Sequence, residues 1–366
     1  MAEIRAIGVR KGGNQPELFR IEAPRITKPN EVLLEMVNVG ICGSDKDIIE
    51  NSLVESPEGD DKLILGHEGL GKVVEKGDSV KSLKKGDYVA IIPRHGCGIC
   101  EPCKTGRSDF CETGLYTASG QHNRHGFDSE LYVEEEEYLV KVPKKLTKVA
   151  VLAEPFSIVE KAVEQIRCIQ KRIPTYDFQK SKAVVFGMGS VGMAAIAILR
   201  ANNIQTYALG RRDADDPKVE LVKELGAEYV DMRNKDVNKL KEEIGTVEIV
   251  IEATGGTQLV IDLIELMSRN SIYVFLGIPK GAEELCFNIK GMINKIVRQN
   301  LLIVGSVNSQ KPHFRMALKE MAKIQKSNNN ILDRIITHRF TMQQYKEAFG
   351  QDKEGQVKAV IDFTKK

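Results

Sequence analysis

Four cysteines lie within one short glycine-rich stretch, RHGCGICEPCKTGRSDFC. They are Cys97, Cys100, Cys103 and Cys111, and this spacing lets four sulfur atoms close around one ion. Four thiolates fill every position of a tetrahedral zinc and leave none for a substrate. The chain has seven cysteines and its first residues lack the apolar core of a signal peptide, so metal binding is favoured over disulfide or redox chemistry. The loop, about residues 94–115, therefore predicts a structural zinc site.

A glycine-rich turn carries a second chemical signal. In VVFGMGSVGMAAIAIL, Gly187, Gly189 and Gly192 follow an apolar strand-like run and open an apolar helix-like run. Dinucleotides bind to such turns because glycine allows the tight bend and the close approach of the pyrophosphate, while helix N–H groups face the phosphates. The pattern predicts a dinucleotide site, and a purely structural glycine turn is the alternative.

The end of the next strand-like run, ALGRRDADD, indicates which dinucleotide binds. A site for NAD usually carries an acidic residue there, which accepts a hydrogen bond from the ribose 2′-hydroxyl. That position is Gly210 here, and Arg211 and Arg212 follow it with guanidinium groups that suit a 2′-phosphate. NADP is therefore the preferred cofactor. Asp213 leaves room for NAD, and a solvated turn is the alternative interpretation of the arginines.

The elements that must position these groups follow two different patterns. Residues 1 to about 150 contain short extended runs broken by glycine, proline and aspartate, which is typical of a β domain. From about residue 181, strand-like and helix-like runs alternate, which is typical of a parallel sheet covered on both faces. The last run, QVKAVIDF, returns to strand character and predicts that the tail rejoins the first domain. The acidic run Glu134 to Glu137 is interpreted as a solvated turn or strand edge.

Composition and charge narrow the class of function. At 366 residues the chain is long enough for two domains, and its 42% hydrophobic and 28% charged residues are ordinary for a globular protein. A net charge of +2 with dispersed basic residues does not suggest a nucleic-acid or membrane partner. No segment approaches the length of a membrane span. We therefore expect a cytoplasmic protein that binds neither nucleic acid nor membrane.

A catalytic metal would need a second site with an open position. The stretches VGICGSDKD, ILGHEGLG and VLAEPFS supply Cys42, His67 with Glu68 beside it, and Glu154. A thiolate, an imidazole and a carboxylate make a three-ligand zinc site, and Glu68 could replace Glu154 during turnover. These residues lie far apart in the chain, and a lone cysteine or histidine is more often a core residue than a ligand. Their spacing alone therefore does not reveal the site.

Several longer motifs occur in one order along essentially the whole chain: GICGSD, ILGHEGLGKVVEKG, GDYVAIIP, the four-cysteine loop and the later glycine turn. Together they resemble the zinc-dependent medium-chain dehydrogenases, and most closely the archaeal glucose (aldose) 1-dehydrogenases. The stretches RHGCGIC, SDFCETG, AEPFSIVEKAVEQ and LGRRDADDP carry the closer likeness. The resemblance implies an α/β protein in which a β-rich GroES-like catalytic domain, residues 1–154 and 309–366, is interrupted by a doubly wound Rossmann domain, residues 155–308.

The activity that the resemblance implies is zinc-dependent oxidation of an aldose at C1 to the aldonolactone. The substrate would be D-glucose or a related sugar such as D-galactose, with hydride transfer to NADP or NAD. The alternatives are a secondary-alcohol or polyol dehydrogenase of the same fold and a non-enzymatic nucleotide-responsive binding protein. The resemblance also implies a homo-oligomer, either a tetramer or a dimer, with one catalytic and one structural zinc in each chain.

The resemblance further assigns roles to individual residues. Cys42, His67 and Glu154 would bind the catalytic zinc, with Glu68 as an alternate ligand. Ser44 would hydrogen-bond the reacting hydroxyl. The residues implied to contact the substrate are Ser44, Glu154 and Asn308, and Asp45 would hold the second nitrogen of His67. The residues implied to contact the cofactor are Gly187, Gly189, Ser190, Val191, Gly192, Gly210, Arg211, Arg212, Leu276, Gly277, Ile278, Ser306, Val307, Asn308 and Lys358.

Some positions depart from the family's pattern. Asp47 stands where many alcohol dehydrogenases of the family have a relay histidine, so the route of the proton stays open. The positions where polar contacts to the sugar are expected hold Pro93, Ala118 and Ile158. His95 or Gln121 would have to replace those contacts. Recognition of glucose is therefore less firmly implied than dehydrogenase chemistry.

Overall fold

The computed structural model describes residues 2–256, 261–279, 288–327 and 330–365 of the chain. The chain forms two compact units. The first unit contains Met1–Ser157, Asn308–Ala322 and Ile336–Lys366, and the second contains Ile158–Val307 and Lys323–Ile335.

Strands dominate the first unit, and strands alternate with helices in the second. The strands are β1 Glu3–Arg10, β2 Glu17–Glu22, β3 Glu31–Ile41, β4 Lys62–Ile64, β5 Glu68–Lys76, β6 Tyr88–Ile91, β7 Arg94–His95, β8 Thr117–Ser119, β9 Asn123–Arg124, β10 Leu131–Glu135, β11 Leu139–Lys141, β12 Lys182–Phe186, β13 Gln205–Gly210, β14 Glu228–Asp231, β15 Val247–Glu252, β16 Met267–Phe275, β17 Leu302–Gly305, β18 Ile336–Thr341 and β19 Lys358–Asp362. The helices are α1 Gly43–Glu50, α2 Glu101–Lys104, α3 Ala153–Gln170, α4 Ser190–Ala201, α5 Pro217–Glu224, α6 Val237–Ile244, α7 Ile289–Gln299, α8 Lys311–Ser327 and α9 Tyr345–Ala348. Within the described part of the chain, none of these helices combines the length and the apolar character needed to cross a membrane.

The long strand β3 organises the first unit. It lies in a sheet with the order β11-β6-β5-β3-β19-β18, and it also pairs with β10. Its apolar residues Val32, Leu34 and Met36 are buried in a core with residues of β5 and β6. The last strand, β19, pairs antiparallel with β3 and places Ala359 opposite Ile41. The end of the chain thus contributes a strand to the sheet of the first unit.

One acidic position differs from the sequence-based interpretation. Glu134 in β10 is only 1% exposed. Its carboxylate accepts hydrogen bonds from the ring of His95 at 3.0 Å and from the guanidinium of Arg124 at 3.3 Å. The interpretation of the acidic run as solvated was therefore wrong for Glu134. Alternation along a strand turns this side chain inwards, where the guanidinium of Arg124 compensates its charge and the His95 ring provides a further hydrogen bond.

The second unit contains a six-stranded parallel sheet with the order β14-β13-β12-β15-β16-β17. This is the order of two βαβαβ halves that meet at β12 and β15, as in the dinucleotide-binding Rossmann fold. Apolar residues such as Leu209, Val250 and Tyr273 fill its core together with residues of α6. The predicted combination of a β-rich unit with a doubly wound parallel sheet is confirmed.

The segment Lys323–Ile335 belongs to the second unit, although the sequence-based division placed residues 309–366 together. Lys323 donates a hydrogen bond to the carbonyl of Ala201. Arg334 forms an ion pair of 3.1 Å with Glu220. Both contacts tie the end of α8 and the turn after it to helices of the second unit.

Candidate active site and metal centres

Cys42, His67 and Glu68 form a compact group in the first unit. Each offers one ligand atom, and these atoms all lie within 4.8 Å of one another. Cys42 directly follows β3, and His67 directly precedes β5. The antiparallel pairing of β3 with β5 places Gly40 opposite Glu68. The sheet register therefore brings together side chains that are distant in the sequence, and His67 and Glu68 are both buried.

Asp45 connects two members of this group. Its carboxylate oxygen Oδ1 lies 3.1 Å from Nδ1 of His67, and Oδ2 accepts a hydrogen bond of 2.8 Å from the backbone N–H of Cys42. Burial lowers the pKa of His67, but the Asp45 carboxylate and the Cys42 sulfur outweigh burial and raise it well above its usual value. With Nδ1 facing a carboxylate, Nε2 is the nitrogen available to an ion. The structure contains the hydrogen bond expected between Asp45 and His67.

Glu68 is held by Lys358. Nζ of Lys358 donates to Oε1 of Glu68 at 2.7 Å and to the carbonyl of Ile41 at 3.0 Å. The other oxygen, Oε2, is buried and has no hydrogen-bond partner among the described residues. A Cβ atom added at Gly40 would lie 2.1 Å from this oxygen, so only glycine leaves room for the carboxylate there. The structure thus places Lys358 against Glu68 in the first unit, whereas the family resemblance implied that it contacts the cofactor.

Glu154 lies near this group but is not one of the residues whose ligand atoms meet within 4.8 Å. It is the second residue of α3 and is half-buried. Burial, and next the charge of Glu68, raise the pKa of Glu154 to about 7. The two carboxyl groups therefore interact electrostatically. Of the carboxylates proposed from the sequence, the structure brings Glu68 closest to Cys42 and His67.

The donors of this group fit zinc. One thiol, one imidazole nitrogen and one carboxylate oxygen are the mixed ligands of catalytic zinc sites, which keep a position for substrate. The unpartnered oxygen of Glu68 is a buried acceptor that a cation would satisfy. Three protein atoms leave the fourth position of a tetrahedron open, so this group can bind an ion that also contacts a substrate.

The four-cysteine loop forms a second, sulfur-only group. Sγ of Cys97 lies 3.5 Å from Sγ of Cys100 and 3.7 Å from Sγ of Cys103, and Cys111 completes the group. All four are free thiols. Zinc–sulfur bonds of about 2.3 Å in a tetrahedron place sulfur atoms about 3.8 Å apart, which matches these distances. The Thr113 hydroxyl lowers the pKa of Cys97 to about 5, whereas burial raises the pKa of Cys103 to about 12.

The glycine turn leads into α4 in the second unit. Gly187 has a φ of +117°, and a Cβ atom on Gly192 would lie 2.1 Å from the carbonyl oxygen of Gly187. Both positions therefore require glycine. Gly189 is the N-cap of α4. The N–H groups of the first turn, at Ser190 and Val191, have no acceptor within the helix and can bind a phosphate.

At the end of β13 the two arginines differ in their contacts. Arg212 forms an ion pair of 3.2 Å with Asp216. Its backbone N–H donates to the Tyr229 hydroxyl at 2.7 Å, and this hydroxyl donates to its carbonyl at 2.9 Å. Arg211 is exposed and, in the ranges that the structure describes, has no side-chain hydrogen bond. Asp213, the acid that left room for NAD, forms an ion pair with Arg233. Arg211 is therefore the unengaged cation at this strand end.

The remaining residues implied for the cofactor follow later strands. Leu276–Ile278 come after β16, and Ser306 and Val307 come after β17. Because the strands are parallel, these segments leave the sheet at the same edge as the glycine turn. The carbonyl of Val307 accepts a hydrogen bond of 2.8 Å from Lys161. Asn308, with a φ of +60°, belongs to the first unit.

Ser44 forms a hydrogen bond with Gln121, one of the two residues suggested to replace the missing contacts to the sugar. Nε2 of Gln121 donates a hydrogen bond of 3.1 Å to the Ser44 hydroxyl. His95, the other suggested substitute, is bonded to Glu134 and stacks on the ring of Tyr138 at 3.5 Å. Gln121 is therefore the polar group next to Ser44. Sequence reasoning missed the contacts of Tyr229 and Lys358, because both depend on strand pairings between distant segments.

Comparison with known proteins agrees with this arrangement. The family described as alcohol dehydrogenase GroES-like domain matches residues 28–144, and the family described as glucose dehydrogenase C-terminus matches residues 147–363. A GroES-like unit with a cysteine–histidine–carboxylate group, followed by a Rossmann sheet in the same chain, defines a medium-chain dehydrogenase.

Individual relatives narrow this class. Glucose 1-dehydrogenase 2 of Vulcanisaeta moutnovskia is 38% identical over 340 residues, which cover 91% of this chain and 92% of that protein. Glucose 1-dehydrogenase of Thermoproteus tenax is 35% identical over 349 residues, which cover 94% and 96%. The structure of Haloferax mediterranei glucose dehydrogenase in complex with NADP, zinc and gluconolactone superposes with a TM-score of 0.89 at 30% identity, covering 98% and 99% of the two chains. The chain belongs to the glucose dehydrogenase family, as the sequence resemblance predicted.

Proposed function

We propose that this protein oxidises an aldose at C1 to the aldonolactone and transfers the hydride to a nicotinamide dinucleotide. The observation that carries the proposal is the group of Cys42, His67 and Glu68, whose ligand atoms lie within 4.8 Å of one another in a chain that also contains a dinucleotide-type sheet. A solved relative of the same family holds NADP, zinc and gluconolactone. D-glucose or D-galactose is the proposed substrate.

Cys42 and His67 would hold a catalytic zinc, together with a carboxylate from Glu68 or Glu154. When bound, zinc supplies Lewis acidity that stabilises negative charge developing on the C1 oxygen. Asp45 fixes the orientation of the His67 ring and the position of the Cys42 backbone. A second zinc in the four-cysteine loop would be structural, because its four sulfur ligands leave no open position.

Ser44 is the proposed partner of the C1 hydroxyl. A serine hydroxyl has one donor hydrogen and two lone pairs. The Gln121 amide occupies one lone pair at 3.1 Å. The second lone pair can accept the hydrogen of the substrate hydroxyl, and the serine hydrogen remains free to pass a proton onwards. Gln121 therefore orients Ser44 for proton transfer and reduces its rotational freedom.

NADP is the proposed preferred cofactor, and NAD is the alternative. The support is the free guanidinium of Arg211 and the engagement of Asp213 with Arg233. Arg211→Gln should raise the KM for NADP by about tenfold to a hundredfold, since charge-assisted hydrogen bonds contribute about 1.5–3 kcal/mol. Arg212→Gln is the matched control and should have the smaller effect, because Arg212 is paired with Asp216. An equal change in the KM for NAD would remove this argument.

Self-association is proposed from one surface of the second unit. Ile289, Ile293 and Val297 lie four residues apart on α7, hence on one side of the helix, and are 55%, 51% and 69% exposed. The neighbouring sheet edge is β17, where Ile303 is also exposed. Exposed apolar surface of this kind favours a homo-oligomer, a dimer or a tetramer. Light scattering on Val297→Asp should show a smaller particle than the unmodified protein.

The proposed location is the cytoplasm.

The experiment that tests the activity is a substrate panel. Aldoses, polyols and secondary alcohols are each assayed for reduction of NADP and of NAD, and the product of any active sugar is trapped as the aldonate. We expect turnover of aldoses with formation of lactone. Turnover of polyols or secondary alcohols alone would favour the alternative dehydrogenase activity. The positions Pro93, Ala118 and Ile158, which offer no side-chain polar group, make that comparison necessary.

A further inference from the structure

Arg94 is a buried cation of the first unit. It is the first residue of β7 and is 7% exposed. Its backbone carbonyl accepts a hydrogen bond of 3.1 Å from the side chain of Gln310, which fixes the strand. Among the described residues, no side chain forms a hydrogen bond or an ion pair with its guanidinium group. Buried charges in proteins are usually paired or hydrogen-bonded, so a guanidinium group without a partner in the protein is available to an acceptor from solvent.

An aromatic ring covers one face of this guanidinium group. The central carbon of Arg94 lies 3.3 Å from the centroid of the Tyr116 ring. Stacking of this kind stabilises the cation through the ring face, but it leaves the N–H donors, which point outwards in the guanidinium plane, without acceptors. Nε is fully shielded and unpartnered. Arg94 is therefore held flat and oriented while its hydrogen-bonding edge remains unused.

The neighbouring acceptors are either missing or engaged. The residue directly opposite Arg94 on β8 is Ala118, which has no polar side chain. The carboxylate of Glu134 is bonded to His95 and Arg124. The carboxylate of Glu55, whose backbone forms a bridge with His122, is paired with that histidine. The protein itself thus offers no counter-charge to Arg94 within the described residues.

The same loop connects Arg94 to Ser44. Tyr116, which stacks on Arg94, directly precedes β8, and Gln121, which binds Ser44 at 3.1 Å, lies in the turn after β8. The rings of Tyr116 and His122 are 5.2 Å apart across this turn. The short segment 116–122 therefore contacts both the free guanidinium and the hydroxyl proposed to handle the substrate proton.

We infer that Arg94 binds an anionic group of the substrate, so that this protein prefers an aldose carrying a carboxylate or a phosphate to a neutral aldose. This inference rests on the proposed function and deepens it, since it names the substrate class. A planar guanidinium with free edge donors matches the paired oxygens of either anion. The aldehyde-derived C1 hydroxyl is oxidised as proposed above, while the anionic group at the other end of the sugar is held by Arg94.

The test compares D-glucose, D-glucuronate and D-glucose 6-phosphate as substrates of the zinc-loaded protein. We expect kcat/KM for at least one anionic sugar to exceed that for glucose by about tenfold or more. The two anionic sugars distinguish a carboxylate site from a phosphate site. Arg94→Gln should abolish this preference by lowering kcat/KM for the anionic sugar more than for glucose, and Arg94→Lys should retain part of it.

Arg107→Gln is the matched control, because Arg107 lies in the same part of the first unit but is paired with Asp109 and should not affect the preference. Turnover of glucose with no advantage for either anionic sugar would overturn the inference and leave the proposed function intact. The inference would also be overturned if Arg94→Gln raised the KM for NADP equally with every sugar, because Arg94 would then act on the cofactor. Oxidation of polyols with no aldose turned over would overturn both. The preference of the unmodified protein decides the outcome even where a variant fails to fold.

Discussion

Replacing Lys358 with methionine tests whether the buried carboxylate of Glu68 depends on a protein cation. The two side chains are each 1% exposed, and Nζ lies 2.7 Å from Oε1. Burial lowers the pKa of Lys358, but Glu68 and then Cys42 outweigh burial, so the pKa is raised. Because the folded pKa lies above the unfolded value of about 10.5, this stabilisation is complete below pH 10.5 and is lost only as the pH rises through the folded pKa. The pair is therefore intact at neutral pH.

The expected loss of stability follows from the charge that remains. Removing one partner of a buried ion pair costs about 3–5 kcal/mol, because the other charge stays buried without compensation. Lys358→Met leaves Glu68 in that state. For a unit of about 200 residues, this corresponds to a decrease of about 6–20 °C in Tm. Converting Glu68 to Gln in the same chain removes the uncompensated charge, so the double variant should recover most of the loss.

Scanning calorimetry on the two single variants and the double variant measures this cycle, with zinc in excess and again with a chelator. The loss in Lys358→Met should be larger with the chelator, because a cation bound beside Oε2 of Glu68 replaces part of the missing positive charge. A Lys358→Met variant as stable as the unmodified protein would refute the reasoning. So would a double variant that is less stable than Lys358→Met.

Three further changes test the other parts of the first unit. Asp45→Asn should weaken zinc binding at the His67 site by about tenfold to a hundredfold, while the four-cysteine site keeps its ion. Competition with a chelating dye measures both affinities, and an equal loss from both sites would contradict this role of Asp45. Cys97→Ser should remove about one equivalent of zinc per chain and lower Tm, with activity retained at temperatures below unfolding; an unchanged zinc content would show that the loop binds no metal. Burial raises the pKa of Glu31, but the backbone N–H groups of Thr27 and Lys28 outweigh burial and lower it below 4.5. Because the folded pKa is the lower one, this stabilisation is present above pH 4.5 and is lost as the pH falls through the folded pKa. Glu31→Gln should therefore lower Tm at pH 7, with a difference that shrinks in acid, and a difference that does not depend on pH would argue against this role.

The fold of the second unit was predictable because its pattern is local. A parallel strand is buried on both faces and reads as an apolar run, whereas its covering helix is apolar on one side only. The runs KAVVF and QTYALG became β12 and β13, and the helix-like run that follows the glycine turn became α4. The four-cysteine group was predictable for the same reason, since all its ligands come from Cys97 to Cys111.

The details of the candidate site were less predictable, because they depend on strand register between distant segments. The place of Lys358 beside Glu68 follows from the pairing of β19 with β3 and of β3 with β5. A shift of either register by one residue would turn these side chains to the other face. The inward direction of Glu134 depends likewise on how β10 pairs with β3. Family resemblance placed Cys42 and His67 in one site, but it did not determine these supporting contacts.

The first turn of α1 places several groups of the candidate site on one short segment. Cys42 offers the sulfur of the proposed zinc site, Ser44 carries the hydroxyl proposed to contact the substrate, and Asp45 supplies the carboxylate that orients His67. Asp45 also accepts a hydrogen bond from the backbone N–H of Cys42. The same carboxylate therefore holds both the start of this turn and the ring of His67. The ligand sulfur and the serine hydroxyl are two residues apart on a backbone fixed by this hydrogen bond. The spacing between the Cys42 sulfur and the Ser44 hydroxyl is therefore set by local backbone geometry, which a flexible loop could not hold to the same precision.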